Sequence, residues 1–292
     1  MMGRAAENYG EIDGALSLGP NCFLLSALII IIWVLVAMPV FAESILQGGA
    51  YQTDLGISVQ HFKWTEHGQD GLRLVEETGM LYGLTQALAY RKGIFGWRQG
   101  AALFFGEVDY DGYTWGLEPI QTDAVYIGAD AFFDLEPAYQ WSSGFMVKGF
   151  GGLGGRLWLR DLDGTRTELG TRVAGVEEWW WSIYGRAGVG LAFPLGSFGR
   201  ISAESGVKLP IYSRNEANFF VPGSDSVDLE PEMRVSPFVK VGWQWKSIRV
   251  QAFYDTFRFN PSDRVKSGNY EIYQPESDAD MIGLEGSWVL YF

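Results

Sequence analysis

Chemistry has few places to reside in this chain. It holds two histidines, His61 and His67, and a single cysteine, Cys22. The rest of the sequence is thereby closed to thiol catalysis, disulfides and cysteine-based zinc sites. Ser58 and His61 stand three residues apart. On an extended segment that spacing points them to opposite faces, where a nucleophile cannot reach its base. His67 falls beside Glu66 and Asp70 in a polar stretch that reads as solvated loop. Asp109 and Asp111, in Asp-Tyr-Asp, share one face at the start of a long polar stretch. Gly151, Gly152, Gly154 and Gly155 look like a phosphate cradle, but no Lys-Ser/Thr and no helix follow. They read instead as a flexible loop base. Acidic runs at 213–233 and 260–280 lack the spacing of a calcium loop. The expectation is no catalytic residue, no metal and no cofactor.

The elements that would carry these residues are strands. Segments 51–64, 79–90, 97–110, 124–133, 139–150, 179–193, 198–212, 234–245, 248–259 and the closing 279–292 alternate apolar with small or polar residues. A period of two is the strand signature. In the last segment Ile282, Leu284, Trp288, Leu290 and Phe292 share one face, and Gly283, Glu285 and Ser287 the other. Each segment reaches the roughly 9–11 residues a tilted membrane strand needs. The connections alternate too: 91–96, 134–138, 194–197 and 246–247 are short, whereas 65–78, 111–123, 151–178, 213–233 and 260–280 are long and polar. Both patterns predict an antiparallel ten-stranded transmembrane β-barrel with short periplasmic turns and long extracellular loops. Twelve strands are possible if 155–172 holds a further hairpin. A soluble β-sandwich would have to bury ten such apolar faces, among them Trp179, Trp181, Ile183, Val189, Leu191 and Phe193 on one strand. The barrel is the better solution.

Placing the bulkier apolar parity against lipid leaves charges inside. They are Asp54, Glu107, Asp130, Glu204, Asp255 and Glu285 against Lys148, Arg186, Lys208, Lys240 and Arg249. Ions at low dielectric are costly unless paired, so this near-neutral set predicts a mutually neutralised network across the lumen. Barrels of about eight strands are filled by side chains and open channels need roughly sixteen, so ten strands predict a plugged interior. The whole chain has a formal charge of −13 and a pI near 4.6, which excludes a nucleic-acid partner. The 12 tryptophans suit a lipid–water boundary.

The closing strand resembles that of bacterial outer-membrane β-barrels, which typically end on an aromatic residue read by the barrel-assembly machinery. The resemblance makes Trp288, Leu290 and Phe292 an assembly signal. Strand number and length resemble the omptin proteases, which use an aspartate pair and a His-Asp pair at the extracellular rim. Asp109 and Asp111 could stand for the first, but no Asp-x-His occurs after the N-terminal segment and only His67 lies nearby. The stretch Glu77-Thr-Gly-Met-Leu-Tyr-Gly-Leu, with Gly106-Glu-Val-Asp-Tyr-Asp-Gly thirty residues on, is similar to uncharacterised proteobacterial outer-membrane barrels. That likeness implies location and architecture but no activity.

The apolar run 23–42, ending Val-Phe-Ala, reads as a signal peptide cleaved after Ala42, so 1–42 is the signal region and 43–292 the barrel. The preceding residues depart from the pattern, since Arg4 is outnumbered by Glu7, Glu11 and Asp13. The functional expectation is a non-enzymatic envelope protein whose loops meet lipopolysaccharide or an external partner. Trp158, Phe219, Phe220, Tyr270 and Tyr273 are the candidate loop contacts. A narrow solute channel is the alternative, and an outer-membrane protease or lipid-modifying enzyme the second.

Overall fold

The computed structural model describes residues 49–114, 117–167, 169–219, 226–267 and 270–292. The signal region, Cys22, Phe220 and the side chain of Tyr270 lie outside them. Ten strands form the wall: β1 (Ala50–His67), β2 (Arg73–Lys92), β3 (Phe95–Tyr113), β4 (Pro119–Leu135), β5 (Met146–Leu162), β6 (Val176–Pro194), β7 (Arg200–Phe219), β8 (Ser236–Trp245), β9 (Ile248–Phe259) and β10 (Glu276–Tyr291). Each pairs antiparallel with its sequence neighbour. The barrel closes where β1 meets β10 in unbroken register from Gln52↔Tyr291 to His67↔Glu276. Closure leaves no unpaired wall edge, the condition for a sheet to sit in hydrocarbon.

The outward face is aliphatic. Ile57 is 67% exposed, and Leu84, Ile127, Leu153, Val189 and Ile282 are exposed beside it on other strands. Such a belt is stable only against lipid. Aromatic residues flank it, with Trp243, Trp245 and Trp288 near the short turns and Tyr113 and Tyr212 toward the long loops. Trp243 and Trp245 also donate their indole N–H groups to the carbonyls of Phe198 (2.8 Å) and Ser197 (3.2 Å), joining neighbouring turns. Strands of 17–20 residues in β1–β7 exceed the roughly 9–11 that cross a membrane, so they project past the belt. In β7 the register shifts between Pro210 and Tyr212, a bulge where proline lacks a donor.

The fifth strand departs from the sequence reading. It runs Met146–Leu162 rather than 139–150, because Trp141 and Gly144 close a tight turn first. Gly144 takes φ +83°, open to glycine and strained for other residues. The short strand Ala138–Gln140 folds back onto the start of β5 instead of beginning it. The glycines from Gly151 to Gly155 are therefore wall, not loop. A Cβ on Gly152 would stand 1.9 Å from the Phe133 carbonyl oxygen, so close strand approach, not flexibility, requires the glycine. The loop after β5 shrinks accordingly and holds a minor hairpin, Thr165–Arg166 with Arg172–Val173, outside the wall. The wall has ten strands, not twelve.

At the long-loop end Val227–Leu229 pairs antiparallel with Asn215–Ala217 of β7, and Val265–Ser267 pairs with Tyr270–Ile272. Val227, Leu229 and Ile272 form a small buried cluster with Phe219 and Val265 against it. Phe219 thus packs loop on loop.

Candidate functional site

The lumen carries what chemistry the barrel has, in three tiers. In the long-loop tier, Trp64 from β1, Trp158 from β5, Trp180 from β6 and Phe257 and Phe259 from β9 meet across the interior. Trp158 and Trp180 stack at 5.1 Å and 9°, and Trp64 meets Trp180 edge-on at 5.3 Å. Within this plug Arg160 is held by three carboxylates. Its Nε donates to Glu77 at 2.9 Å and its Nη1 to Glu178 at 2.8 Å, while Glu66 lies 3.6 Å from Nη1. Tyr126 O–H also donates to Glu77, Trp180 N–H to Glu178 at 3.0 Å and Trp64 N–H to Glu66 at 2.9 Å. Every buried charge has a partner, the condition for tolerating it away from water.

In the middle tier Arg156 lies 4.2 Å from the Phe104 ring centroid and 4.9 Å from that of Phe257, with Asp130 3.7 Å from its Nη1. Lys208 pairs with Asp255 at 2.6 Å and donates to the Thr256 carbonyl at 3.0 Å. Below this, toward the short turns, Arg98 bridges Glu204 (2.8 Å) and Glu136 (3.0 Å). Lys148 completes the square, at 2.7 Å from Glu136 and 3.0 Å from Glu204. Arg186 pairs with Asp134 at 3.2 Å, and Arg249 with Asp54. Two cavities remain, about 150 Å³ in the middle tier and about 330 Å³ at the short-turn mouth. Asp54, Ala87, Arg98, Lys240, Arg249 and Gln251 line both, so the two are contiguous.

Of the charges expected inside, Glu107 is the exception. It is exposed on the outward face with Phe105 and Asp109, while Phe104, Val108 and Tyr110 point in. A slip of one residue moves a strand's whole set to the other face. The same slip hides Arg98, which the inward parity of β3 delivers to the lumen. The other ten, Asp54, Asp130, Lys148, Arg186, Glu204, Lys208, Lys240, Arg249, Asp255 and Glu285, line the cavities. Arg156 and Arg160 escape a sequence reading because they fall in the segment taken for loop. Trp158 does too, and it is a buried plug residue rather than a loop contact. Tyr273 stands on the loops, 5.1 Å from the Arg264 guanidinium.

The catalytic candidates do not converge. Asp109 and Asp111 are exposed on the outer face of β3, Asp109 opposite Asp123 on β4, and Asp111 3.4 Å from Arg73. His61 is exposed between Met80 and Ile282, whereas Ser58 lines the middle cavity. No cluster of three or more metal-ligating side chains occurs among the described residues. Trp288, Leu290 and Phe292 all face outward, Phe292 at 74% exposure.

A closed antiparallel wall with a lipid-facing belt and a filled, charged lumen defines a bacterial outer-membrane β-barrel protein. One solved structure agrees on the fold, and two others show a weaker likeness. The outer membrane protease OmpT from Escherichia coli is similar at a TM-score of 0.53 and 10% identity, over 84% of this chain and 97% of that one. The Ralstonia pickettii toluene transporter TbuX matches at a TM-score of 0.39 and 12% identity, over 84% of this chain and 90% of its own. The Yersinia pestis protein Ail gives 0.33 and 9% identity, over 84% of this chain and all of its own, 100%. No protein-family model matches the sequence, and no curated protein matches it.

Proposed function

We propose that this barrel is a non-conducting, non-enzymatic envelope protein that presents its long loops to lipopolysaccharide or to an external partner. One observation supports the reading above others. The long-loop half of the lumen, where an extracellular cleft or pore mouth would open, is filled by Trp64, Trp158, Trp180, Phe257 and Phe259 around Arg160. Large aromatic rings in mutual contact leave no path for a solute, and dislodging them would break buried pairs. The carboxylate pair of Asp109 and Asp111 faces away from the lumen, and among the described residues the ion pair there is Asp111 with Arg73.

The test is conductance of the purified protein in planar bilayers. The unmodified barrel should give no large, stable steps, and a W158A/W180A variant that removes two stacked rings should give them. Large steps from the unmodified protein would establish the channel reading instead. Peptide or lipid hydrolysis that disappears in an H61A/H67A variant would establish the enzyme reading.

A further inference from the structure

The cavity at the short-turn mouth has an unbalanced lining. Arg91, Arg98, Lys148, Arg200, Lys240 and Arg249 contribute six positive charges. The lining holds three acids, Asp54, Glu136 and Glu204, and Asp134 behind it stands 3.9 Å from Arg98. Glu136 is shared among Arg98 at 3.0 Å, Lys148 at 2.7 Å and Arg91 at 4.0 Å, so one carboxylate serves three cations. Arg200, exposed at the rim, and Lys240 make no ion pair within 4.0 Å among the described residues, although Lys240 stands opposite Glu204 in register and is attracted to it. Arg200 is also close enough to Arg91 for the two charges to repel. The middle cavity is nearer balance, with Asp130, Asp255 and Glu285 adding to Asp54.

The excess sits where a ligand could reach it. Tyr51, Arg91, Gln140, Arg200, Gln244 and Tyr291 ring the opening, each at or near a strand end on the short-turn side. That side is the periplasmic one in barrels of this construction. The opposite end is closed by the aromatic plug, so entry is from the periplasmic side alone. Fixed cations inside a low-dielectric wall focus their field on the enclosed space and concentrate anions there. Arginine adds a planar fork that matches phosphate or carboxylate oxygens. At about 330 Å³ the space is at the lower end for small organic ligands. Ala50, Ala87, Ala89 and Met146 supply an apolar part of its wall.

We infer that this chamber is a binding site for a phosphate-bearing small anion entering from the periplasmic face, with Arg91, Arg200 and Lys240 as its contacts. The phosphate could belong to a free organic phosphate or to the headgroup of a phospholipid in the inner leaflet. The inference takes from the surface-protein reading only the aromatic plug at the far end; the binding it describes is read separately, by titration rather than conductance.

Isothermal titration in a phosphate-free, uncharged detergent tests it, with two probes. One is sn-glycerol 3-phosphate; the other is phosphatidylglycerol added to the micelles, against phosphatidylcholine as the zwitterionic control. Saturable binding that weakens at least tenfold in an R200Q/K240Q variant is expected, and binding should weaken with added salt. That variant removes no ion pair, so heat-modifiable gel migration should show it folded. An R214Q variant, altered on the exposed strand extension where Arg214 pairs with Asp228, should bind as the unmodified protein does. Binding of the soluble phosphate identifies a free anion as the ligand, and binding of phosphatidylglycerol alone identifies a headgroup. No saturable binding of either probe, or binding unchanged by R200Q/K240Q, overturns the inference.

Discussion

Replacing Arg160 by methionine should be the most damaging single change in the lumen. The guanidinium donates twice to Glu77, once to Glu178 and stands 3.6 Å from Glu66. Methionine fills much of the same volume, so the loss is electrostatic rather than a cavity. What stays behind is three buried carboxylates, Glu77 and Glu178 with one neutral donor each, from Tyr126 and Trp180, and Glu66 with two, from Trp64 and Gln274. Removing one partner of a buried pair costs about 3–5 kcal/mol. Three stranded anions place R160M at the upper end, about 5 kcal/mol, or between three and four decades in the folding equilibrium at about 1.4 kcal/mol per decade. Urea unfolding in phospholipid vesicles, followed by tryptophan emission, reads this directly because Trp64, Trp158 and Trp180 surround the site. The deficit should shrink as the pH falls, since protonation neutralises the carboxylates. A fourfold variant, R160M/E66Q/E77Q/E178Q, should recover most of the loss, because neutral replacement of a whole buried network is tolerated far better than breaking it. An R160M barrel within about 1 kcal/mol of the unmodified protein, or a fourfold variant no more stable than R160M, would refute the reasoning.

Ile57→Lys puts a charge on the lipid face and should cost about 2–4 kcal/mol in the same vesicle assay, whereas Ser58→Ala one residue on, facing the lumen, should stay within about 0.5 kcal/mol. Gly152→Val drives side-chain atoms against the Phe133 carbonyl and Asp134 backbone, and should destabilise by at least about 1–3 kcal/mol, visible as a lower temperature for loss of the compact gel form. Phe292→Ser, which keeps the backbone hydrogen bonds to Tyr51, should lower the yield of folded barrel in outer-membrane fractions while leaving the urea midpoint of refolded protein nearly unchanged, because the ring is exposed and packs little.

Much of the architecture is legible from local pattern. Strand alternation depends only on neighbours in the chain, and so do the turn signals that separate one wall strand from the next. The lipid-facing residues of β6, Ile183, Val189, Leu191 and Phe193, are visible in this way, and the structure exposes all four. Local pattern falters where a strand changes surroundings along its length. Once β3 leaves the hydrocarbon, its outward face turns from Phe105 to Glu107 and Asp109, and polarity no longer marks the inside. It falters again at β5, whose glycines look like loop and are wall because packed strands leave no space for a Cβ at Gly152.

The lumen lies furthest from such a reading. Arg160 and Glu77 are 83 residues apart, and Arg98 and Glu204 are 106 apart. Which charge meets which depends on barrel closure and on the register of strands that are not neighbours in sequence. The sequence alone determined an outer-membrane barrel of ten or twelve strands, most of its exterior and ten of its inward charges, since alternation and turn length are properties of adjacent residues. Only the tertiary structure decided that an arginine-centred aromatic plug fills one end and that cations outnumber acids in the lining of the other. Both follow from side chains brought together across the interior of a closed wall.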